Sequence, residues 1–510
     1  MNTYSFPSIE AGTLTLILGL GETGVAAALW CARHGACLRV LDTRVQPGGL
    51  GALQAGLDSA DVDFRLGEEH MNEDALTDVT RIVLSPGLAP SHEPVKSFLA
   101  LAAARQIEIL GEIELFARAL ADMAEQGYRP NVLAVTGTNG KTTVTVMTRL
   151  LVQACGRTAR AAGNISPAAL AALSDAIDRA ELPDVWVLEL SSFQMESTSS
   201  LVPDAATVLN VTQDHLDWHG SMQAYAGAKA KLLAMSKVAV VNRDDPLVTA
   251  MVVGRDVSTV QSFGSDTPRW VGDLGLEVSH GVAWLCANVP EDFDLPASGQ
   301  RKRRKAASQP ERETGILSRL MPADALRVRG RHNALNALAA LALARSLGLG
   351  WAPMLRALRD YGGEPNRAEF VRAIAGVDFV NDSKGTNVGA TVAALNGLGQ
   401  KSVLIAGGLG KGQDFSPLLD VVRTHGRAVV LIGRDGPIIG DALAAAGLPI
   451  EHCTTLAQAV ARGFALAQPG DAVLLSPACA SMDMFRNYKH RGAEFVEAVR
   501  SLALDSGEMA

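Results

Sequence analysis

Residues 131–143 read NVLAVTGTNGKTT, an apolar run that breaks into Gly137-Thr138-Asn139-Gly140-Lys141-Thr142-Thr143 before helix-forming sequence resumes. A glycine loop between strand and helix lets backbone N–H groups surround phosphate, and a lysine adds positive charge. The stretch predicts an α/β unit that binds a nucleoside triphosphate, with residues 137–143 cradling it. Lys141 is expected to reach the outer phosphates and the Thr142 hydroxyl to ligate Mg²⁺. Val135 stands where the common loop has its first glycine, so the spacing contracts to G-x-x-G-K-T.

Such a loop needs a carboxylate for the metal at the end of a neighbouring strand. The runs VWVLEL (185–190) and ATVLNV (206–211) read as the next buried strands. Glu189 interrupts the first, and a buried acid is costly unless paired or metal-bound. In NVTQDHLDWH (210–219), His215 and His219 stand at i, i+4. The segment reads as loop and has no third zinc-type ligand nearby, so His215 is read as aimed at the magnesium–phosphate site instead.

Upstream, an apolar run (14–18) meets Gly19-Leu20-Gly21-Glu22-Thr23-Gly24, an alanine-rich stretch to His34, and a second run ending in Asp42-Thr43-Arg44. Strand, glycine turn, helix, strand is half of a dinucleotide-type fold. The turn reads as a site for a diphosphate-bearing nucleotide, and Glu22 within it repels additional negative charge. Taken alone it also admits a nicotinamide-dependent oxidoreductase. A further strand (81–84) ends at Ser85-Pro86-Gly87.

Downstream of Tyr361-Gly362-Gly363, four strand-like runs recur at 377–381, 402–407, 428–433 and 472–476. Helical sequence separates them, which predicts a parallel sheet. Polar residues crowd their carboxyl ends, where open α/β sheets bind ligands: 382–387, 407–411 and 476–483. A Lys, a Thr and a Ser by a helix N-terminus suit the carboxylates of a small ligand. The chain therefore reads as three consecutive α/β units, 1–110, 111–363 and 364–510. Those at the ends are Rossmann-like; the central one is a P-loop ATPase-type unit with a parallel or mixed sheet.

Composition agrees with this reading. The 510 residues, 48% apolar and 20% charged, have ample material for a core and exclude disorder, collagen-like repeats and a disulfide miniprotein. With 46 basic and 54 acidic residues the net charge is −8, against a sequence-independent nucleic-acid coat. No apolar stretch suffices to cross a bilayer, and the start lacks a basic segment before TLTLILG, so a cytoplasmic location is expected. The six cysteines show no C-x-x-C pair and read as buried small hydrophobes. The charge-dense stretch 299–315, with RKRRK, reads as a solvated surface insertion.

GLGETG, VLDTR, SPG, TGTNGKTT, GNIS, ELSSFQME, NVTQDHLDWH, RHNALNALAA, PNRAEF, NDSKGTN, GGLGKGQDF and LSPACASMDMFRNYKHRG follow one another between positions 19 and 492. In this order they resemble the Mur ligase family, ATP-dependent amide-forming enzymes that build the peptidoglycan stem peptide. The first turn, NDSKGTN and SPACASMDMF point to its D-glutamate-adding branch. The resemblance implies UDP-N-acetylmuramoyl-L-alanine, D-glutamate and ATP as substrates, two Mg²⁺ ions and an acyl-phosphate intermediate; a monomer with no nucleic-acid partner and no membrane span is expected. A ligase adding a different amino acid is the competing reading.

By position the resemblance implies that Thr23, Asp42, Thr43, Arg44, Ser85 and Gly87 hold the UDP part, and Asn164 the substrate nearer its reacting end. Lys141 and Thr142 serve the phosphates and one magnesium, with Glu189 and His215 on metal. Lys229 falls where the family carries a carbamylated lysine, an anion supporting the second magnesium. Asn333, Asn336, Arg367 and Asp382 frame adenosine and γ-phosphate. Lys384, Thr386, Lys411, Ser481 and Tyr488 surround D-glutamate. The third unit is expected to close on the second about a hinge near 361–366. Thr142 replaces the family's more frequent Ser and retains the hydroxyl, and 119–130 and 299–315 look like insertions.

Overall fold

The computed structural model describes residues 4–57, 62–291 and 312–507. Residues 299–311, including RKRRK, lie outside that description. Of the remainder of that charge-dense stretch, Arg312 is anchored on Asp273.

The chain forms three sheets. The first has five parallel strands in the order Val62–Leu66, Cys37–Asp42, Leu14–Leu18, Val79–Leu84, Glu108–Leu110. Its central strand runs into the glycine turn and the helix Glu22–Arg33. A Cβ on Gly24 would collide with the Gly19 carbonyl, so the third glycine is what seats this helix against the strand.

The middle sheet has nine strands. Asn131–Thr136 lies between Ala205–Val208 and Val185–Glu189, with Ala159–Gly163 at the edge beyond. On the other side Val238–Asn242, Val260–Phe263 and Leu274–Ser279 continue in parallel, and Val282–Val289 and Ile316–Pro322 add antiparallel pairings. The sequence reading found only three of these nine strands. It also ran the 206–211 strand too far, because Asn210 leaves the ladder to bind the phosphate loop with its side chain.

The third sheet is mixed, not wholly parallel as expected. Glu369–Ile374 pairs antiparallel with Val377–Asn381, and Ala472–Leu475, Ser402–Gly407, Gly426–Ile432 and Ile450–His452 follow in parallel. The two-residue turn Ala375-Gly376, both at positive φ, closes that hairpin.

The helix Glu112–Glu125 joins the first two units. Residues 119–125 form its second half, so much of the supposed insertion 119–130 is helix. Phe116 on it packs edge-on against Trp186 of the middle sheet, 5.3 Å between centroids. Glu112 accepts the Leu170 N–H at 2.6 Å. One apolar core runs without interruption from the first sheet into the middle one, including Ile17, Trp30, Phe116, Trp186 and Leu188. The third unit buries its own two clusters, one on each face of its sheet. All six cysteines are free, but Cys37 is exposed and Cys155 and Cys453 are half-buried, against the expectation of burial. Among the described residues no helix is long and apolar enough to cross a membrane.

Candidate functional site

The phosphate loop sits at the carboxyl end of Asn131–Thr136 and opens into the helix Lys141–Ala154. Gly140 adopts φ 85°, and a Cβ there would stand 2.7 Å from Asn336 Oδ1, so glycine is required on both counts. Asn210 holds the loop's shape: its Oδ1 accepts the Asn139 N–H at 2.8 Å and its Nδ2 donates to the Asn139 carbonyl at 3.1 Å. Thr138 lies 3.0 Å from the Tyr225 hydroxyl. Lys141 donates to the Gly137 and Thr138 carbonyls at 2.8 and 3.0 Å, and burial lowers its pKa. Thr142 is partly exposed on the first helical turn, whereas Thr143 is buried.

Glu189 ends its strand beside this loop, 2% exposed. Asn164 donates to its Oε1 at 2.8 Å, while Oε2 is buried with no hydrogen-bond partner. An orphaned carboxylate oxygen is costly, and a cation would satisfy it. Lys229, on the helix Met222–Met235, is 1% exposed and donates to Gly137 O at 3.0 Å. Burial, then the nearby Lys141 charge, push its pKa well below the ordinary lysine value. Lys231, two residues on, pairs with Glu196 near the surface instead.

His215 stands at φ 54° before a single-turn helix, Leu216–His219, where the sequence suggested loop. Burial lowers its pKa, and Asp214 lies 3.6 Å away. His219 faces Ser192 Oγ at 2.9 Å. Among the described residues no three His, Cys, Asp or Glu side chains cluster as a metal site. The orphaned oxygen of Glu189 nevertheless fits a magnesium ion that keeps waters and takes phosphate oxygens, because such an ion needs few protein ligands.

Between the second and third units lies a cavity of about 580 Å³ lined by Asn333, Gly363, Arg367 and Phe370. It narrows toward Asn139, Gly140, Thr143 and Asn336 on one wall and Arg367, Asp382 and Lys384 on the other. Asn336 donates to Asn333 Oδ1 at 3.2 Å. Burial raises the Asp382 pKa to about 6, against a 2.7 Å hydrogen bond from Ser476. Burial, helped by Arg367, lowers that of Lys384 to about 8. The Lys384 ammonium lies 3.9 Å over the Tyr488 ring, a cation–π contact. Thr386 and Lys411 line a smaller recess with Asp214 and His215. Ser481 is buried nearby and lines neither cavity.

In the first unit Asp42 is 1% exposed and turned inward. It accepts the Leu20 N–H at 2.7 Å and a two-pronged contact from Arg44. The acid that a nicotinamide site would offer to a ribose is thus already engaged. Ser85 donates to Gly19 O at 2.6 Å, Gly87 is exposed, and Thr23 and Thr43 are half-buried. Glu22 accepts a hydrogen bond from Ser166, beside Asn164, which ties the turn to the second unit.

Three residues escaped the sequence reading although they lie in the quoted motifs. Asp214 accepts the His215 N–H at 2.9 Å. Asn387 spans the two units; an asparagine before an apolar helix is an N-cap signal, but its second set of partners left none. Arg491, buried, donates to Ser383 and to the Cys479 carbonyl, pinning together the two loops around Lys384 and Ser481.

A mixed sheet whose central parallel strands carry a phosphate loop, opening on a cleft walled by another α/β unit, defines a P-loop nucleotide-binding protein. Sequence profiles match in three consecutive pieces: the MurD-like N-terminal domain of Mur ligases at 13–111, the Mur ligase middle domain at 135–344, and the Mur ligase glutamate ligase domain at 366–479. The chain belongs to the Mur ligase family. It is 66% identical over 511 residues, 100% of both chains, to UDP-N-acetylmuramoylalanine–D-glutamate ligase of Bordetella avium. It is 53% identical to that of Burkholderia mallei, covering 97% of this chain and 98% of the other. Among solved structures, UDP-N-acetylmuramate–alanine ligase MurC of Thermotoga maritima shares the fold at TM-score 0.54 and 19% identity, over 96% of this chain and 99% of that one. MurF of Thermotoga maritima, solved in complex with ADP, does so at TM-score 0.55 and 15% identity, over 98% of each.

Proposed function

We propose that the chain is an ATP-dependent ligase that joins D-glutamate to UDP-N-acetylmuramoyl-L-alanine, in cytoplasmic synthesis of a peptidoglycan precursor. The observation that carries this reading is full-length identity of 66% with a relative bearing that activity's name. The chemistry of the cleft supports it: a phosphate loop on one wall faces Arg367 and Lys384 on the other.

The reaction must bring an anionic carboxylate onto an anionic phosphate. Lys141 and the loop amides of 137–142 neutralise the triphosphate, and Arg367 faces it from the third unit. A carboxylate oxygen of the L-alanine moiety bonds to the γ-phosphorus as the bond to ADP breaks, giving an acyl phosphate. The amine of D-glutamate then attacks the acyl carbon, the amide forms, and inorganic phosphate leaves. Catalysis is mainly positioning and electrostatic stabilisation. Bound Mg²⁺ would supply further charge neutralisation, held by Thr142, Glu189 and His215. Lys229, whose pKa burial drives well below the ordinary lysine value, can add carbon dioxide with loss of a proton and become the anionic carbamate that a second Mg²⁺ calls for.

In this scheme residues 1–110 bind the uridine diphosphate through Thr23, Thr43, Arg44 and Gly87, with Asp42 and Ser85 shaping the turn. Residues 111–363 hold ATP, with Asn333 and Asn336 toward the nucleoside. Residues 364–510 bind D-glutamate: Lys384 and Lys411 supply positive charge, Thr386 a hydroxyl, and Tyr488 orients Lys384. Mass spectrometry of products from ATP, Mg²⁺, the UDP-nucleotide and either glutamate enantiomer tests the reading. D-glutamate should yield the amide and ADP; product with L-glutamate or diaminopimelate instead would overturn it.

A further inference from the structure

We propose that Asn387 is a positioning residue that locks the third unit onto the phosphate loop and so sets the two walls of the nucleotide cleft together. Its side chain is 3% exposed. It caps the helix Val388–Leu398, its Oδ1 accepting the Ala390 N–H at 2.9 Å. That bond fixes which end of the amide faces where, and Nδ2 is left to cross the seam. It donates to Asn139 Oδ1 at 3.0 Å and to Asp214 Oδ2 at 3.1 Å, and Asn139 Nδ2 returns a bond to Asn387 Oδ1 at 3.2 Å. Asn139 precedes Lys141 by two residues, and Asp214 precedes His215. One amide of the third unit therefore grips both the phosphate loop and the turn that presents the histidine.

A second feature of the same seam points the same way. A Cβ on Gly389 would lie 3.0 Å from Thr212 Oγ1 and 3.3 Å from Asn139 Nδ2, so a side chain there would press on the seam and push both neighbours back by a few tenths of an ångström. A nucleotide in the narrow part of the cleft touches both units. Its apparent affinity then scales with the fraction of molecules in which the units are seated. The inference rests on the reading of this cleft as a nucleotide site.

Two variants separate the lock from its structural background. Asn387→Ser retains a capping oxygen but is too short to reach Asn139. Gly389→Ala favours the helix itself while intruding on the seam. Calorimetry with a non-hydrolysable ATP analogue and Mg²⁺ should show affinity reduced about 10-fold in each variant, the scale of losing a charge-assisted hydrogen bond. UDP-N-acetylmuramoyl-L-alanine affinity should stay at the wild-type value, and small-angle scattering should give a larger radius of gyration than wild type with the analogue present. Wild-type analogue affinity and scattering in both variants would overturn the lock, as would an equal loss of UDP-nucleotide affinity. D-glutamate-dependent ADP release by the wild type, measured alongside, judges the substrate assignment separately, since the titrations need no turnover.

Discussion

Lys141 and Lys229 donate to one acceptor, the carbonyl oxygen of Gly137, at 2.8 and 3.0 Å. Two ammonium groups on one oxygen each make the other's charge less favourable; Lys229 is buried and Lys141 partly so. The larger effect falls on Lys229, whose pKa is driven well down by burial and then by Lys141. A lysine so placed gives up its proton more readily than an ordinary one.

That difference from its neighbour gives the first prediction. Lys229→Ala should lower kcat by about 100-fold or more, since it removes a buried group at the phosphate loop. Lys231→Ala, which loses only a pair with Glu196 near the surface, should change it by less than about threefold. Carbon-13 bicarbonate NMR should show a carbamate signal in the wild type and in Lys231→Ala, and none in Lys229→Ala.

Glu189→Gln preserves shape and the acceptor for Asn164 but removes the charge behind the orphaned oxygen. The Mg²⁺ concentration for half-maximal activity should rise about 10-fold or more, with kcat falling about 100-fold. The melting temperature of the metal-free protein should change by only a few degrees, because the cost of the orphaned oxygen and the attraction of the carboxylate for Lys141 are lost together. Magnesium titrations of ADP release, paired with thermal melts, check both outcomes.

Lys384 carries its positive charge below about pH 8, burial having lowered its pKa from 10.5. As pH rises through 8 the charge is lost, so KM for D-glutamate should climb above that point. The climb should flatten in Lys384→Arg, whose guanidinium stays charged. Steady-state KM measured between pH 7 and 9 decides this.

Glu112 is a stability sensor at the joint between the first two units. Burial raises its pKa from 4.5 to about 7. The folded state therefore binds the proton more tightly than the unfolded one, and stability falls as pH rises from 4.5 toward 7. The loss reaches roughly 3 kcal/mol once both states are ionised. Glu112→Gln should remove this dependence, so its melting temperature should exceed the wild type's by more at pH 8 than at pH 5.5.

Much of the site was legible because its chemistry sits at strand ends, where one glycine, lysine or acid breaks an apolar run. Glu189 and Lys141 announce themselves in this way. Val282–Val289, among the outer strands of the middle sheet, did not, because its apolar residues run together and do not alternate with polar ones. His215 was singled out but the one-turn helix after it was missed, since four residues hold too little periodicity to read. Asp42 was read as a ligand contact, and no local pattern announced that its carboxylate also holds the Leu20 N–H and Arg44. The bonds of Asn387 join positions 248 residues apart in sequence, and no local pattern signals them.

The continuous core shared by the first and middle sheets has a consequence for how the molecule comes apart. Residues on both sides of the helix Glu112–Glu125 lose their apolar contacts together, so the chain's first two-thirds should melt as one cooperative block although it contains two sheets. The last third, with its own interior, is free to open separately, and a protease nick at Gly362-Gly363 should release it intact. Amide hydrogen exchange should accordingly sort the protein into two protection classes divided at that dipeptide.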